Sequence, residues 1–146
     1  MKAGEFSNKE ARAKIEKMLS GAKIVYMGTN GSHGHPNIRA VSPAKIEGVE
    51  TIWFVTDLNS SKIIELVKDN KAVVYALGAR MVAECRLWGY VTILDDAASK
   101  KSVWHDDLKK HLFPDGVNSS SLRVLRFDVS NGYYSSKGGK CGEFKN

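Results

Sequence analysis

The sequence predicts a mainly β, α+β protein built as a closed antiparallel β-barrel with a few short helices. Two observations carry this prediction. About six segments have the length and apolar pattern of strands, and most are joined by short turn signals rather than by helices. The 146 residues, 42% of them hydrophobic and 26% charged, suit a globular protein with one hydrophobic core. We therefore expect a single domain over residues 1–146.

The chain is expected to open with an amphipathic helix, followed by a hairpin. Ser7-Asn-Lys-Glu10 is a capping-box pattern, and apolar residues then recur at helical spacing, so the helix occupies the N-terminal segment 1–21. One strand is predicted over Ala22–Thr29 and a second over His35–Ile46. The residues between them, Asn30-Gly-Ser-His-Gly34, are a turn signal, which indicates that the two strands pair.

The middle of the chain is predicted to contain three strands and a helix. The strand Thr51–Thr56 is rich in aromatic and β-branched residues, and it runs directly into a short helix over Ser61–Asp69. Ala72–Leu77 is almost wholly apolar, which indicates a strand covered on both faces. Glu84–Leu94 is a longer strand with one apolar face and one aromatic and polar face.

The C-terminal part adds a helix, further strands and a flexible tail. Asp95-Asp96 offers an N-cap for a helix that ends near Phe113. Leu122–Val129 is the last clear strand, and Tyr133-Tyr134 belong to a final short one. Because the remaining residues are rich in Gly, Lys and Ser, residues 135–146 are expected to form a flexible tail.

The aromatic face of the strand Glu84–Leu94 has two interpretations. Trp88 and Tyr90 lie on this face beside Arg86, and it points outward because a barrel has only one interior. Aromatic residues and Arg with few lysines are typical of subunit contacts, which favours an interface here. Scattered aromatic side chains exposed to solvent are the alternative.

Cations around the predicted helix Ser61–Asp69 indicate a phosphate site. Lys62 falls in the first turn, where the macrodipole and the unpaired N–H groups are already positive, so a bound anion would remove a conflict. Arg39 lies on a neighbouring strand and points away from the core, and together the two cations balance a phosphomonoester dianion. Thr56, Ser61 and the helix N–H groups would satisfy the remaining phosphate oxygens. The alternative is that these cations are ordinary surface charges and Ser61 is a plain N-cap.

The order and spacing of several short motifs resemble a known family. The first group is similar to the pyridoxamine 5'-phosphate oxidase-like family of FMN-binding split barrels: Arg39-Ala-Val-Ser42, Ile52-Trp-Phe-Val-Thr56 and Ser60-Ser-Lys62. A second group is similar to the general stress protein branch of that family: Trp88-Gly-Tyr-Val-Thr-Ile-Leu-Asp95, Val103-Trp104 and Phe113-Pro-Asp-Gly116. The resemblance runs from the first predicted strand to about Tyr134.

This resemblance implies a six-stranded split β-barrel that forms a homodimer and holds FMN in clefts between the subunits. Arg39, Ser61 and Lys62 would hold the FMN phosphate. The residues whose backbone would line the isoalloxazine ring and the ribityl chain are Ala40, Val41, Ser42, Val55 and Thr56. Glu84 falls where the full oxidases commonly place a flavin-contacting glutamine, although an ionised carboxylate accepts hydrogen bonds and cannot donate them.

The C-terminus departs from the family pattern. Tyr133-Tyr-Ser-Ser-Lys-Gly-Gly139 stands where pyridoxamine phosphate oxidases use an Arg and His motif to hold their substrate, so that activity is not expected. We expect a flavin-dependent oxidoreductase of an unknown small substrate, with a nicotinamide or another small molecule as electron donor. A flavin-binding stress or redox-sensing protein without turnover is the alternative, and haem or a deazaflavin would also suit such a cleft.

Charge and targeting features constrain the partners. The net charge of +6 favours anionic partners, but the basic residues are spread along the chain, so a barrel that binds nucleic acid is the less favoured alternative. We expect a cytoplasmic protein, because no apolar run reaches the roughly 18 residues of a membrane span and no signal-peptide pattern opens the chain. Cys85 and Cys141 match no metal-ligand spacing, and His33 and His35 lack further ligands nearby, so no metal site is predicted.

Overall fold

The computed structural model describes residues 4–146, which form an eight-stranded antiparallel sheet with four α-helices. In chain order the strands are β1 (Val25–Asn30), β2 (Pro36–Val41), β3 (Lys45–Glu47), β4 (Thr51–Asp57), β5 (Lys71–Leu77), β6 (Ala83–Leu94), β7 (Leu122–Ser136) and β8 (Cys141–Lys145). The helices are α1 (Asn8–Ser20), α2 (Ser61–Lys68), α3 (Ala97–Val103) and α4 (Asp107–His111). The fold is mainly β with several helices, as the sequence predicts.

The strands follow the order β2-β1-β5-β6-β7-β4-β3, and β8 pairs with the C-terminal part of β7. β6 and β7 contain 12 and 15 residues and pair over most of their length, so they form the centre of the sheet. A bulge between Trp88 and Gly89 interrupts their register. Gly89 is required there, because a Cβ atom would lie 2.1 Å from the carbonyl oxygen of Asp128.

Two hydrophobic clusters stabilise the sheet. In the larger one, α1 buries its apolar stripe against the inner face of the strands; the stripe consists of Ala11, Ile15 and Leu19. α1 begins at the predicted capping box of Ser7 and Glu10, and residues 1–3 of the predicted helical segment lie outside the described residues. The smaller cluster packs the α3–α4 region against β7 and contains Val103, Leu108, Phe113, Leu122 and Val124.

The predicted strand His35–Ile46 is divided in two. β2 ends at Val41 and β3 begins at Lys45, at the opposite end of the sheet. Pro43 lies between them and has no N–H to donate to a ladder, so a continuous strand is disfavoured at this point. The N–H of Ala44 then donates to the carbonyl of Trp53 at 2.7 Å, which starts the pairing of β3 with β4.

Residues 135–146 were predicted to form a flexible tail, but the structure contains a strand there. β7 continues to Ser136, and β8 returns along it from Cys141 to Lys145. Phe144 is 3% exposed and packs on Gly132, where a Cβ atom would lie 2.3 Å from its ring. Tyr133 and Tyr134, predicted in a separate final strand, belong to β7. The six clear predicted strands become eight because the strand His35–Ile46 is divided and β8 is added.

The helix predicted between Asp95 and Phe113 is also divided. α3 ends at Val103 because Trp104 adopts an extended backbone, with φ −71° and ψ 136°, and α4 follows as a separate short helix. None of the described helices combines the length and the hydropathy that a bilayer-spanning segment requires.

Candidate functional site

A cavity of about 350 Å³ lies where the two ends of the sheet approach each other. One wall is Ala40–Ser42, at the end of β2, and another is Phe54–Asp57, on β4. Met27 and Leu125 add apolar side chains from β1 and β7. The volume lies within the range of about 300–1,000 Å³ that is ordinary for small-molecule sites.

The α4 region covers one side of the cavity with apolar side chains that the sequence analysis did not assign to a site. Leu108 and Phe113 are buried in the smaller cluster and also line the cavity. Leu112 lines it as well but is 58% exposed, so this side chain lies at the cavity mouth. A bound ligand would remove that apolar surface from water.

The connection from β4 to α2 forms the polar end of the cavity. Thr56 Oγ1 donates a hydrogen bond to Ser60 Oγ at 3.0 Å. The carboxylate of Asp57 accepts a hydrogen bond from the N–H of Asn59 at 2.8 Å, and this bond is the main reason why the pKa of Asp57 is lowered. The resulting tight turn brings the first turn of α2, including Lys62, to the cavity wall.

The N-terminus of α2 lacks the side-chain cap that α1 and α3 have. Ser60 is the N-cap residue but makes no capping hydrogen bond, and its hydroxyl accepts from Thr56 instead. In contrast, Ser7 caps α1 and Asp96 caps α3. The first turn of α2 also contains no acidic residue. Its first N–H groups are therefore suited to bind an anion at the polar end of the cavity.

Lys62 is a cation without an anionic partner in the part of the chain that the structure describes. Its side chain is half-buried, and none of the ion pairs formed among residues 4–146 includes it. Burial lowers the pKa of Lys62, and the nearby charge of Arg39 lowers it further. Both effects follow from positive charge held partly away from water with no anion to balance it.

Arg39 lies next to this end of the cavity but is ion-paired within the protein. Its Nη2 atom lies 3.1 Å from Glu65 Oε2, on α2, and its Nη1 donates to Thr29 Oγ1 at 2.7 Å. Glu65 is 4% exposed and also accepts hydrogen bonds from the Thr29 hydroxyl and, at 2.5 Å, from Asn37 Nδ2. The bond from Thr29 is the largest reason why the pKa of Glu65 is lowered.

The sequence analysis missed Glu65. The available signal was an acidic residue inside a short apolar helix: α2 buries Ile63 and Leu66 on the same side as Glu65, while Ile64 and Val67 are exposed. A carboxylate on the buried side of a helix needs hydrogen-bond partners, and here they come from β1 and β2.

The structure brings together most of the residues that the sequence predicts for the site. The residues of that prediction that line the cavity are Ala40, Val41, Ser42, Val55, Thr56 and Lys62. Arg39 is not part of the wall, although its charge acts on Lys62. Ser61 is the first residue of α2 and is exposed, and the N-cap position that the sequence assigned to it belongs to Ser60.

Glu84 is not near this cavity within one chain. It lies at the start of β6, beside a separate cavity of about 190 Å³ that Met81 and Lys137 also line. Its carboxylate accepts a hydrogen bond from the hydroxyl of Tyr75 at 2.5 Å and pairs with Arg86 at 2.9 Å. The first of these bonds raises the pKa of Tyr75, because the neutral phenol is the form that donates.

Known proteins share both the sequence pattern and the fold. A family model described as pyridoxamine 5'-phosphate oxidase like matches residues 10–144. The chain is 30% identical to a Clostridium acetobutylicum protein related to general stress protein 26 of B. subtilis, described as belonging to the pyridoxinephosphate oxidase family. The two structures superpose with a TM-score of 0.82 over 92% of this chain and 93% of that chain.

More distant structures share the fold alone. An FMN binding protein from Nostoc punctiforme, described as pyridoxamine 5'-phosphate oxidase-related, is 14% identical, with a TM-score of 0.59 and 92% of each chain covered. A heme binding protein from Mycobacterium smegmatis is 12% identical, with a TM-score of 0.76 over 92% of this chain and 57% of that chain. No curated protein matches the chain. The family match spans nearly the whole chain and agrees with the fold. The chain therefore belongs to the pyridoxamine 5'-phosphate oxidase-like family and is similar to its members related to general stress protein 26.

Proposed function

We propose that this protein binds FMN in the cavity between β2, β4 and α2 and acts as a flavin-dependent oxidoreductase of a small substrate. The observation that carries the proposal is the charge at the polar end of the cavity. Lys62 has no anionic partner among the described residues, and it lies in the first turn of a helix whose N-terminus has no side-chain cap. A phosphate group is the ligand that relieves both conditions at once.

The phosphate of FMN is doubly negative near neutral pH, and the site offers matching positive charge. Lys62 supplies a compact ammonium, and α2 supplies N–H groups together with the positive end of its macrodipole. The hydroxyls of Thr56 and Ser60 line the same end of the cavity. Thr56 donates its O–H to Ser60, so Ser60 is the hydroxyl that can donate to a phosphate oxygen. Arg39 adds a second cation close enough to affect Lys62.

The rest of the cavity suits a flat aromatic ring. Its remaining wall is mostly apolar and includes Phe54, Leu112, Phe113 and Leu125. An isoalloxazine ring buried there would be shielded from water, while backbone groups of Ala40–Ser42 and Val55-Thr56 could pair with its polar edge. When bound, the flavin supplies the redox chemistry by accepting a hydride and passing electrons on, and the protein supplies position and polarity.

We further propose that the functional unit is a homodimer. The outer face of β2, β1, β5 and β6 carries an apolar row: the exposed Ile38 pairs with Gly28, Gly28 with the half-buried Val73, and Val73 with Trp88. Ile38 is 70% exposed and Tyr90, further along β6, is 51% exposed. A contiguous apolar and aromatic face of this kind is typical of a subunit contact. Since Glu84 lies in a different cavity within one chain, the flavin contact implied for it requires a second subunit.

Haem is the competing ligand, because one structure of the same fold is described as heme binding. Among the described residues that line the cavity, none is His or Cys, the side chains that most often hold a haem iron. The carboxylates of haem are anions that Lys62 and α2 could also bind, so the observation that favours FMN is the lack of His and Cys among these lining residues.

A flavin-binding protein without turnover is the second candidate function. Among the described residues that line the cavity, Asp57 and Lys62 are the ones that titrate, and Tyr26 and Tyr90 lie on the outer face of the sheet instead. The protein itself thus offers few proton donors or acceptors. Reduction of the bound flavin by NADH or NADPH under steady-state conditions would distinguish turnover from binding.

The visible spectrum of the purified protein, with mass spectrometry of the molecule that it releases on denaturation, tests the proposal directly. We expect a flavin spectrum and the mass of FMN, either as purified or after incubation with FMN and removal of the excess. A Soret band and released haem would show that the cavity serves the other cofactor. A protein that takes up no flavin under either condition would contradict the proposal.

A further inference from the structure

We infer that Glu65 is a positioning residue that holds the guanidinium of Arg39 beside Lys62 for binding of the ligand phosphate. This inference rests on the proposed function and adds to it a residue that lies outside the cavity wall. Glu65 does not itself line the cavity. Its effect on the ligand would pass through Arg39.

The carboxylate of Glu65 is held from two strands at once. Its Oε2 atom accepts hydrogen bonds from the Thr29 hydroxyl, on β1, and from Arg39 Nη2, on β2. Its Oε1 atom accepts from Asn37 Nδ2 at 2.5 Å. Glu65 is 4% exposed, so these bonds form where water competes little and where charge-assisted hydrogen bonds are strongest.

The guanidinium of Arg39 is fixed by the same group of residues. Nη2 pairs with Glu65 at 3.1 Å, and Nη1 donates to the Thr29 hydroxyl at 2.7 Å. Nη1 also donates to the carbonyl oxygen of Met27 at 3.5 Å. These three bonds fix the plane of the guanidinium and leave two of its five N–H groups for a ligand. The Arg39 side chain is only 19% exposed. Its pair with Glu65 therefore differs from an exposed ion pair, which contributes little to stability.

The charges explain why a carboxylate is needed at this position. The charge of Arg39 lowers the pKa of Lys62 even with Glu65 in place, so the two cations already repel each other. Without Glu65, no paired carboxylate would offset the charge of Arg39 in the apoprotein. Glu65 balances Arg39 alone and leaves Lys62 unmatched. The apoprotein can therefore keep both cations at one end of the cavity, ready for a dianion.

The test compares FMN with riboflavin, which is the same molecule without the phosphate, by titration of the apoprotein. The ratio of the two dissociation constants isolates the phosphate contribution. In Glu65→Gln, which keeps the shape but removes the charge, we expect FMN preference over riboflavin to fall about tenfold, as expected when one charge-assisted hydrogen bond is lost. Glu50→Gln, which removes an exposed partner of Arg12, is the matched control and should leave the ratio unchanged.

Two further variants show whether Glu65 acts through Arg39. In an Arg39→Met background, the Glu65→Gln change should alter the ratio less than about twofold, because the group that Glu65 positions is gone. The double variant should also unfold at a higher temperature than Arg39→Met alone, since the single variant leaves a buried carboxylate without its cation. If Glu65→Gln does not fold, Thr29→Val removes the hydroxyl that bridges both residues and should lower the ratio as well.

The outcomes separate this inference from the proposed function. An unchanged ratio in Glu65→Gln would show that Glu65 only stabilises the fold. An equal loss in the presence and absence of Arg39 would show that Glu65 does not act through Arg39. Either result would overturn this inference alone. A wild-type protein that binds FMN no better than riboflavin would overturn the phosphate site itself, and with it the role of Glu65.

Discussion

At the scale of single residues, the charge of Lys62 destabilises the apoprotein, whereas it would stabilise a complex with a phosphorylated ligand. Its side chain is half-buried, it lies in the first turn of α2, at the positive end of the macrodipole, and the charge of Arg39 acts on it; all three conditions disfavour the charged form. Binding sites often keep such unfavourable groups because function requires them. The arrangement therefore predicts opposite effects on stability and on binding.

Replacing Lys62 with Met should stabilise the apoprotein slightly while weakening FMN binding. The change keeps most of the apolar stem and removes the poorly solvated charge, so we expect the Tm without ligand to rise by about 1–2 °C. Differential scanning calorimetry of flavin-free protein measures this. Lys68→Met is the control, because Lys68 is exposed in the last turn of α2, where a cation is favourable. A lower Tm for the Lys62 variant would mean that the charge of Lys62 does not destabilise the apoprotein.

The affinity for FMN should also fall as the pH becomes alkaline. The pKa of Lys62 in the apoprotein is lowered from its ordinary value of 10.5, whereas a bound phosphate favours the charged form and raises it. A proton is therefore taken up on binding, and affinity declines as the pH rises through the lowered pKa. Titrations at increasing pH check this, with riboflavin as the reference ligand. A Lys62→Arg protein should lose the dependence, and a wild-type affinity that stays constant to pH 10.5 would contradict this account.

At the scale of elements, β8 is the strand that the composition of the sequence did not predict. Its strand alternates half-buried or exposed residues with the buried Gly142 and Phe144, but the preceding Lys, Gly and Ser residues resemble a mobile tail. Phe144 packs against Gly132 and extends the main hydrophobic cluster. Residues 141–145 thus contribute to the core rather than extend beyond it.

Phe144→Ala should lower the free energy of unfolding by about 3 kcal/mol, the usual result of deleting a buried aromatic ring. Urea denaturation followed by circular dichroism measures it. Glu143→Ala, an exposed neighbour on the same strand, should change the value by no more than about 0.5 kcal/mol. A loss below about 1 kcal/mol in Phe144→Ala would mean that β8 does not pack on the sheet.

The elements show which features are visible in the sequence and which are not. The capping box of α1 and the strands β4 and β5 depend on local patterns, and the sequence predicts these elements well. The predicted cover on both faces of β5 differs from the structure of one chain, in which Val73 and Tyr75 on the second face are half-buried. The break between β2 and β3 depends on where the chain must cross from one end of the sheet to the other, which no local pattern encodes. Pro43 is the local signal for that break, because it has no N–H to donate to a continuous ladder.

The candidate site shows the same division. Lys62 and Thr56 could be predicted from the local order of strand, turn and helix, whereas the walls at Ala40–Ser42 and Val55 were implied only by the resemblance to the family. Neither route predicted Glu65 and Leu112, since Glu65 acts through contacts with β1 and β2 and Leu112 follows α4, about 50 residues further along the chain. Contacts between segments distant in sequence are the part that a single sequence does not reveal.

At the scale of the whole molecule, we expect a homodimer formed through the outer face of β6. Replacing both Trp88 and Tyr90 with Glu should place charge in the contact and produce monomers, because buried unpaired charges are costly. Sedimentation velocity should show twice the chain mass for the wild type and the single chain mass for the variant. Val67→Glu, on the 73% exposed position of α2, is the control and should remain dimeric. A monomeric wild type, or a dimer that survives both changes, would contradict this interface.

The claim that Lys62 binds the FMN phosphate is tested by the dissociation constants of FMN and riboflavin for the apoprotein, measured in the wild type and in Lys62→Met. We expect the wild type to prefer FMN by about a hundredfold and the variant to lose at least tenfold of that preference, while riboflavin affinity changes little. Equal affinity of the wild type for the two flavins, or an FMN preference that the Lys62 variant retains in full, would contradict the claim.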